Sequence, residues 1–204
     1  MFMPRPVPAA IGLRAHSGWA ALVAVAGSPE SPVVLDRRRI EIADRSIPGS
    51  VQPYHAAQEL GLGRAEKFLE RCEDAARSLA QHALRKAIDS LDGGHQVVAC
   101  GILLGSGRPA LSLDATLASH AAIHTAEGEL FRKVLVYASG QCNVPCRGVR
   151  EKELFACAAA EFQMTTAKLQ IRLAEIGKCL GPPWRQDEKY AALAGWLALR
   201  PGKV

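Results

Sequence analysis

The amino-acid sequence predicts an α/β domain. A three-stranded antiparallel meander continues into a mixed sheet with helices on both faces, in the order βββαβαβα. Three observations carry this prediction. Residues 10–43 hold three short apolar stretches parted by turn signals. Beyond residue 64, long stretches repeat their apolar residues at helical spacing. Between those stretches lie "HQVVACGILLG" and "VPCRGVR", which read as strands. A meander that feeds alternating helices and strands closes into a mixed sheet covered on both sides.

In "AIGLRAH", Ile11, Leu13 and Ala15 alternate with Gly12, Arg14 and His16, the period of a strand with one buried face. Ser17-Gly18 is a turn signal, and "WAALVAVAG" follows as the second strand. The third strand is "PVVLDRRRIEIAD", whose Arg37 and Arg39 point one way and Arg38 the other. Such a row discourages sheet-to-sheet pairing at an edge, and it also suits phosphate contact. Residues 44–63, with Pro48, Gly49, Pro53, Gly61 and Gly63, read as a long loop, a length often tied to function.

Phe68, Leu69, Cys72, Ala76, Leu79, Ala83, Ala87 and Leu91 then mark a helix from Arg64 to Leu91, closed by Gly93-Gly94. The apolar run "HQVVACGILLG" fits a central strand buried on both faces. A helix from Asp114 to Ser139 follows, stopped by Gly140. After the next short strand, Leu154, Phe155, Ala158, Phe162, Leu169, Leu173, Ile176 and Leu180 mark one continuous helix, broken by Gly181-Pro182-Pro183. "KYAALAGWLALR" forms a short terminal helix. The organisation expected is a flexible N-terminus at 1–9, one domain at 10–180 and a C-terminal helical extension at 181–204.

With 49% hydrophobic and 22% charged residues, the chain has globular usage, and disorder is not expected. A net charge of +5 and a pI near 9.0 allow an anionic partner without requiring one. No run of 18 uncharged apolar residues occurs, and "MFMPRPVPAA" has prolines where an export signal needs an apolar run. Three of the six cysteines (Cys72, Cys100, Cys157) sit within apolar patterns, so a reduced, cytoplasmic protein is expected. "CNVPC" (Cys142, Cys146) has zinc-compatible spacing but occurs once, which favours ordinary thiols. "GSGRP" lacks the lysine and spacing of a phosphate loop.

The element order and the strand-turn-strand opening "IGLRAHSGWAALVAV" resemble the ribonuclease H-like fold, including RuvC-type resolvases, over residues 10–180. The "QPYHAA" and "AEGELFR" stretches are similar to those of small bacterial proteins of unknown function. The ribonuclease H-like resemblance implies a carboxylate on the first strand, and others after the fourth strand and on the last helix, holding two metal ions that activate water. Here the first-strand position falls on Arg14, "GSGRP" contributes no acid, and only Glu151, Glu153 and Glu161 stand near a family position. A guanidinium at the metal position repels the metal, so the nuclease acids read as missing.

The most concentrated polar stretch is "SHAAIHTAEGELFRK". At about 100° per residue from Ile123, Glu127 falls near 40°, His120 near 60° and His124 near 100°, inside the apolar stripe formed by Leu130, Phe131, Val134, Leu135, Tyr137 and Ala138. A buried carboxylate needs an answering group. Three answers stand open. Glu127 pairs with an inward arginine, Arg14 or Arg38. Alternatively, Arg14, His16, Tyr54, His55, His120, His124 and Glu127, with Arg38 nearby, surround an anionic or polar ligand. In the third, His120, His124 and Glu127 hold a metal, although "HAAIH" lacks the internal glutamate of zinc peptidases.

The expected function is a non-catalytic domain that binds an anionic small molecule, nucleic acid or a protein partner, with no cofactor and no membrane. The alternative is a hydrolase on His120, His124 and Glu127, metal-dependent or not, with Glu127 as general base or metal ligand. An assembly subunit would instead bury the "GWLALR" helix and Trp196 between copies.

Overall fold

The computed structural model describes residues 5–28, 31–91, 93–105 and 111–200. Five strands form one sheet in the order β3-β2-β1-β4-β5. β1 (Val7–His16), β2 (Trp19–Ser28) and β3 (Ser31–Glu41) are the antiparallel meander, whereas β4 (His95–Leu104) runs parallel to β1 and β5 (Cys146–Arg150) parallel to β4. The mixed sheet is the one expected, with β3 and its arginines on an outer edge. The first strand starts at Val7, inside the segment expected to be flexible; residues 1–4 lie outside the described residues, as do residues 106–109 of "GSGRP".

One face of the sheet carries α2 (Leu62–Asp89) and α4 (His120–Gln141), whose Ala76, Ala80, Leu84, Leu130, Phe131, Val134 and Leu135 pack on Ile11, Leu13, Leu22 and Ile102. The other carries α5 (Leu154–Phe162), α6 (Thr166–Leu180) and α7 (Gln186–Leu199), packed on Ala10, Ala21, Val23, Val25 and Leu103. The 44–63 loop contains α1 (Pro53–Ala57), started by Pro53 at a position that needs no N–H.

Three helical expectations need correction. The helix expected over 114–139 is α3 (Leu113–Leu117) followed by α4, because Ser119 accepts the Ala122 N–H and caps a new start. That second helix passes Gly140, ends at Gln141, and is followed by a left-handed Asn143. The helix expected to run unbroken to Leu180 is divided into α5 and α6: Gln163 turns left-handed, and Thr165 caps the restart.

The largest correction concerns α7. Expected as an extension, it is the helix most deeply set against the sheet, with residues 191–198 all buried. A helix apolar on every side needs cover on every side, and the alanine run "AALAG" lets it approach closely. A Cβ at Gly12 would stand 1.7 Å from the Ala191 carbonyl oxygen, and one at Gly101 2.0 Å from that of Ala194. β1 is consequently buried on both faces from Ala9 to Leu13, not on one. Trp196 is 4% exposed within its own chain, so residues 191–198 offer no free face for assembly between copies.

Candidate functional site

The parallel strands β1, β4 and β5 end at His16, Leu104 and Arg150, on one end of the sheet. Ligands of α/β sheets bind outside these carboxyl ends. Two polar clusters are built there, one on each face.

The first is centred on Arg14, which shares a strand face with Gly12 and therefore points toward α7. Its Nη2 donates to Glu151 Oε1 at 2.8 Å and its Nε to Glu151 Oε2 at 3.3 Å, a forked contact with the residue just past β5. Its Nη1 donates to Asp187 Oδ1, in the first turn of α7. The guanidinium also lies 5.1 Å from the Tyr190 ring centre, and its side chain is only 14% exposed. His16 reaches Asp187 Oδ1 at 2.9 Å and stacks on Trp19 at 4.2 Å between centroids. Arg39, from β3, covers Trp19 at 4.1 Å. The result is a row of His16, Trp19 and Arg39 across three strands, ending in an exposed guanidinium.

The second cluster lies on the α4 face. Glu127 is buried, as the apolar stripe implied, at 2% exposure. Its Oε1 accepts from the His55 backbone N–H at 3.2 Å and meets His55 Nδ1 at 2.9 Å. His120 and His124 are exposed, not buried, and their Nε2 atoms face each other at 3.0 Å. His55 presents its ring edge-on to both. One ring nitrogen from each of His55, His120 and His124 lies within 4.8 Å of the others. Tyr54, which precedes His55 on α1, packs on the hydrophobic core of this face, and burial together with the charges of Glu73 and Glu127 pushes its phenol upward.

The structure therefore separates residues that the sequence had grouped. Neither arginine answers Glu127: Arg14 is across the sheet, and Arg38 is held by Asp36 at 2.6 Å and by Ser90 at 3.2 Å. His55 answers it instead, delivered by the short helix inside the long loop. Arg37 turns to the other face, where it donates to the carbonyls of Leu180, Gly181, Pro182 and Pro183. Asp187 was missed, because "RQDEKY" reads as the acidic first turn of a peripheral helix. Its one sequence signal was the all-round apolar run behind it, which demands a docked helix. Among the described residues the thiols of "CNVPC" join no group of converging metal-ligand atoms; burial pushes Cys146 up to about 11, and Cys100 beside it on β4 to about 12.

Thermus thermophilus RuvC, solved in complex with a Holliday junction substrate, matches 93% of this chain over 90% of its own, with a TM-score of 0.51 at 10% identity. A further structure of T. thermophilus RuvC matches with a TM-score of 0.52 at 9% identity, covering 93% of this chain and 92% of that one. The fold is RuvC-like. No protein-family model matches the chain, and no curated protein does.

The metal pair implied by a RuvC-like nuclease does not fit the Arg14 cluster. Arg14 places its own positive charge between Glu151 and Asp187 and occupies oxygens of both. A cation brought there would displace the guanidinium or be repelled by it.

Proposed function

We propose that this chain is a RuvC-like domain that binds nucleic acid without cutting it. The observation that carries this reading is the double engagement of Arg14 with Glu151 and Asp187, which puts a fixed guanidinium where a nuclease of this fold would need metal ligands. Binding is supported by the basic balance of the chain and by exposed cations at the same sheet end. Arg39 is 51% and Arg45 69% exposed, on either side of Glu41 and next to the His16–Trp19 stack. Guanidinium groups of this kind contact phosphate, and the aromatic row suits an unstacked base. A reduced, cytoplasmic setting goes with this reading, in which the cysteines are free thiols.

The hydrolase alternative has weaker support. A general base must reach its substrate, and the Glu127 carboxylate is enclosed and committed to His55.

The test is fluorescence anisotropy with labelled four-way junction and duplex DNA across a salt series, run beside a cleavage assay with Mg2+ and Mn2+. Affinity should fall steeply with salt, and replacing both Arg39 and Arg45 by alanine should lower the log–log slope by about 1 to 2. The DNA should stay intact. Salt-independent binding would remove the nucleic-acid partner in favour of another anion or a protein. Cleavage that disappears in a Glu151→Gln, Asp187→Asn variant would overturn the non-catalytic reading.

A further inference from the structure

The α4-face cluster supports a second, independent function. We propose that His55, His120 and His124 form an open three-histidine site for a zinc-class divalent cation, with Glu127 as the positioning residue behind His55.

The chemistry of the donor set leads to this assignment. Glu127 Oε1 already accepts from the His55 backbone N–H, so the ring nitrogen 2.9 Å from the same oxygen is the donor and the proton of His55 is on Nδ1. The lone pair is then on Nε2, the ring nitrogen that Glu127 leaves free, while one ring nitrogen of His55 lies within 4.8 Å of one from each of the other two rings. A buried acid that orients a histidine and raises its basicity is the usual support behind a metal ligand. The His55 backbone N–H, at 3.2 Å from the same oxygen, anchors α1 to α4 and limits how far the ring can swing.

His120 and His124 are one helical turn apart, so both rings leave the same face of α4. Their Nε2 atoms, 3.0 Å apart, repel each other as bare lone pairs and need a proton or a cation between them. Tetrahedral ligation with bonds of about 2.0–2.1 Å places neighbouring ligand nitrogens about 3.3 Å apart. The histidine pair already has this spacing within a few tenths of an ångström. The third nitrogen lies within 4.8 Å, a gap that rotation of the two exposed rings closes.

All-imidazole ligation selects zinc-class ions over magnesium or calcium, which prefer oxygen donors. Three protein ligands leave the fourth position to water or to an anionic ligand. The ligand set differs from the helix-only set of the sequence reading, because Glu127 supports a ligand and does not coordinate. Among the described residues this is the group of histidine, cysteine and acidic side chains whose ligand atoms converge in this way.

The experiment uses the full chain, stripped with a chelator, titrated with Zn2+ by calorimetry and with Co2+ by visible absorption. One equivalent should bind, and cobalt should show the intense bands of four-coordinate geometry. His120→Ala and His124→Ala replace exposed residues and leave the core intact; each should weaken binding at least ~100-fold. Glu127→Gln, with its fold checked by circular dichroism and its metal by titration, should weaken it ~10- to 100-fold. His82→Ala, on the exposed side of α2, should change nothing. Binding that survives His124→Ala, a stoichiometry well above one, or a weak six-coordinate cobalt spectrum would overturn the site. Unchanged affinity in folded Glu127→Gln would overturn the positioning role.

Discussion

The two clusters at the carboxyl end of the sheet are built on opposite charge plans. On the α7 face a cation, Arg14, is enclosed, and two carboxylates from β5's end and α7 close around it. On the α4 face an anion, Glu127, is enclosed, and only one histidine closes on it, leaving two imidazoles in solvent. Arginine carries five donors and no acceptor, so a cluster around it satisfies itself with nearby acids. Histidine bound through Nδ1 keeps a free acceptor on Nε2, so a cluster built on it still has an unspent ligand atom. The identity of the enclosed group decides which side is self-contained and which invites a ligand.

The strongest way to break the contrast is to push α7 off the sheet. Gly12→Ala drives a methyl into the Ala191 carbonyl and should cost about 3 kcal/mol or more in denaturant unfolding. Asp187 then loses Arg14, while the distant His55–Glu127 contact should persist and metal binding with it. Simultaneous loss of both would mean that the two faces are one cooperative unit at this end.

A milder change isolates the cation. Arg14→Ala leaves Glu151 and Asp187 facing each other without their counter-charge. Both acids are part-exposed, so the cost should be about 1–3 kcal/mol, less than for a fully enclosed pair. A stability unchanged in Arg14→Ala would mean that the cluster is surface decoration.

The smallest effect concerns the α4-face core alone. Cys100 and Cys146 titrate near 12 and 11 when folded, against 9.0 when exposed. Their folded values are raised, so the neutral thiols favour the native state fully below pH 9. That contribution declines as pH climbs from 9 toward 12. Urea midpoints should fall gradually over that window, and iodoacetamide should modify the exposed Cys179 well before the half-buried Cys146 or the buried Cys100. Early labelling of Cys100 would show that the α4 face opens more readily than its packing implies.

Periodicity made most of the architecture legible. The meander, the interior strand β4 and the two long helices follow from residue spacing, which is local information. The interruptions at Ser119 and Gln163 were not legible, since one cap or one left-handed residue hardly disturbs an apolar pattern. The burial of Glu127 was legible from its angle on the helix. Its partner was not, because the contact spans 72 residues.

The sequence by itself determined the strand and helix order, the inward turn of Glu127 and the arginine on the first strand, since each depends on chain neighbours within a turn or two. Only the tertiary structure decided that Arg14 belongs with Asp187, 173 positions away, and that His55 belongs with His120 and His124. The reason is the sheet itself. It is an impermeable layer one residue thick, so side chains adjacent along a strand emerge on opposite faces, and what each meets there is set by which helix packs on that face.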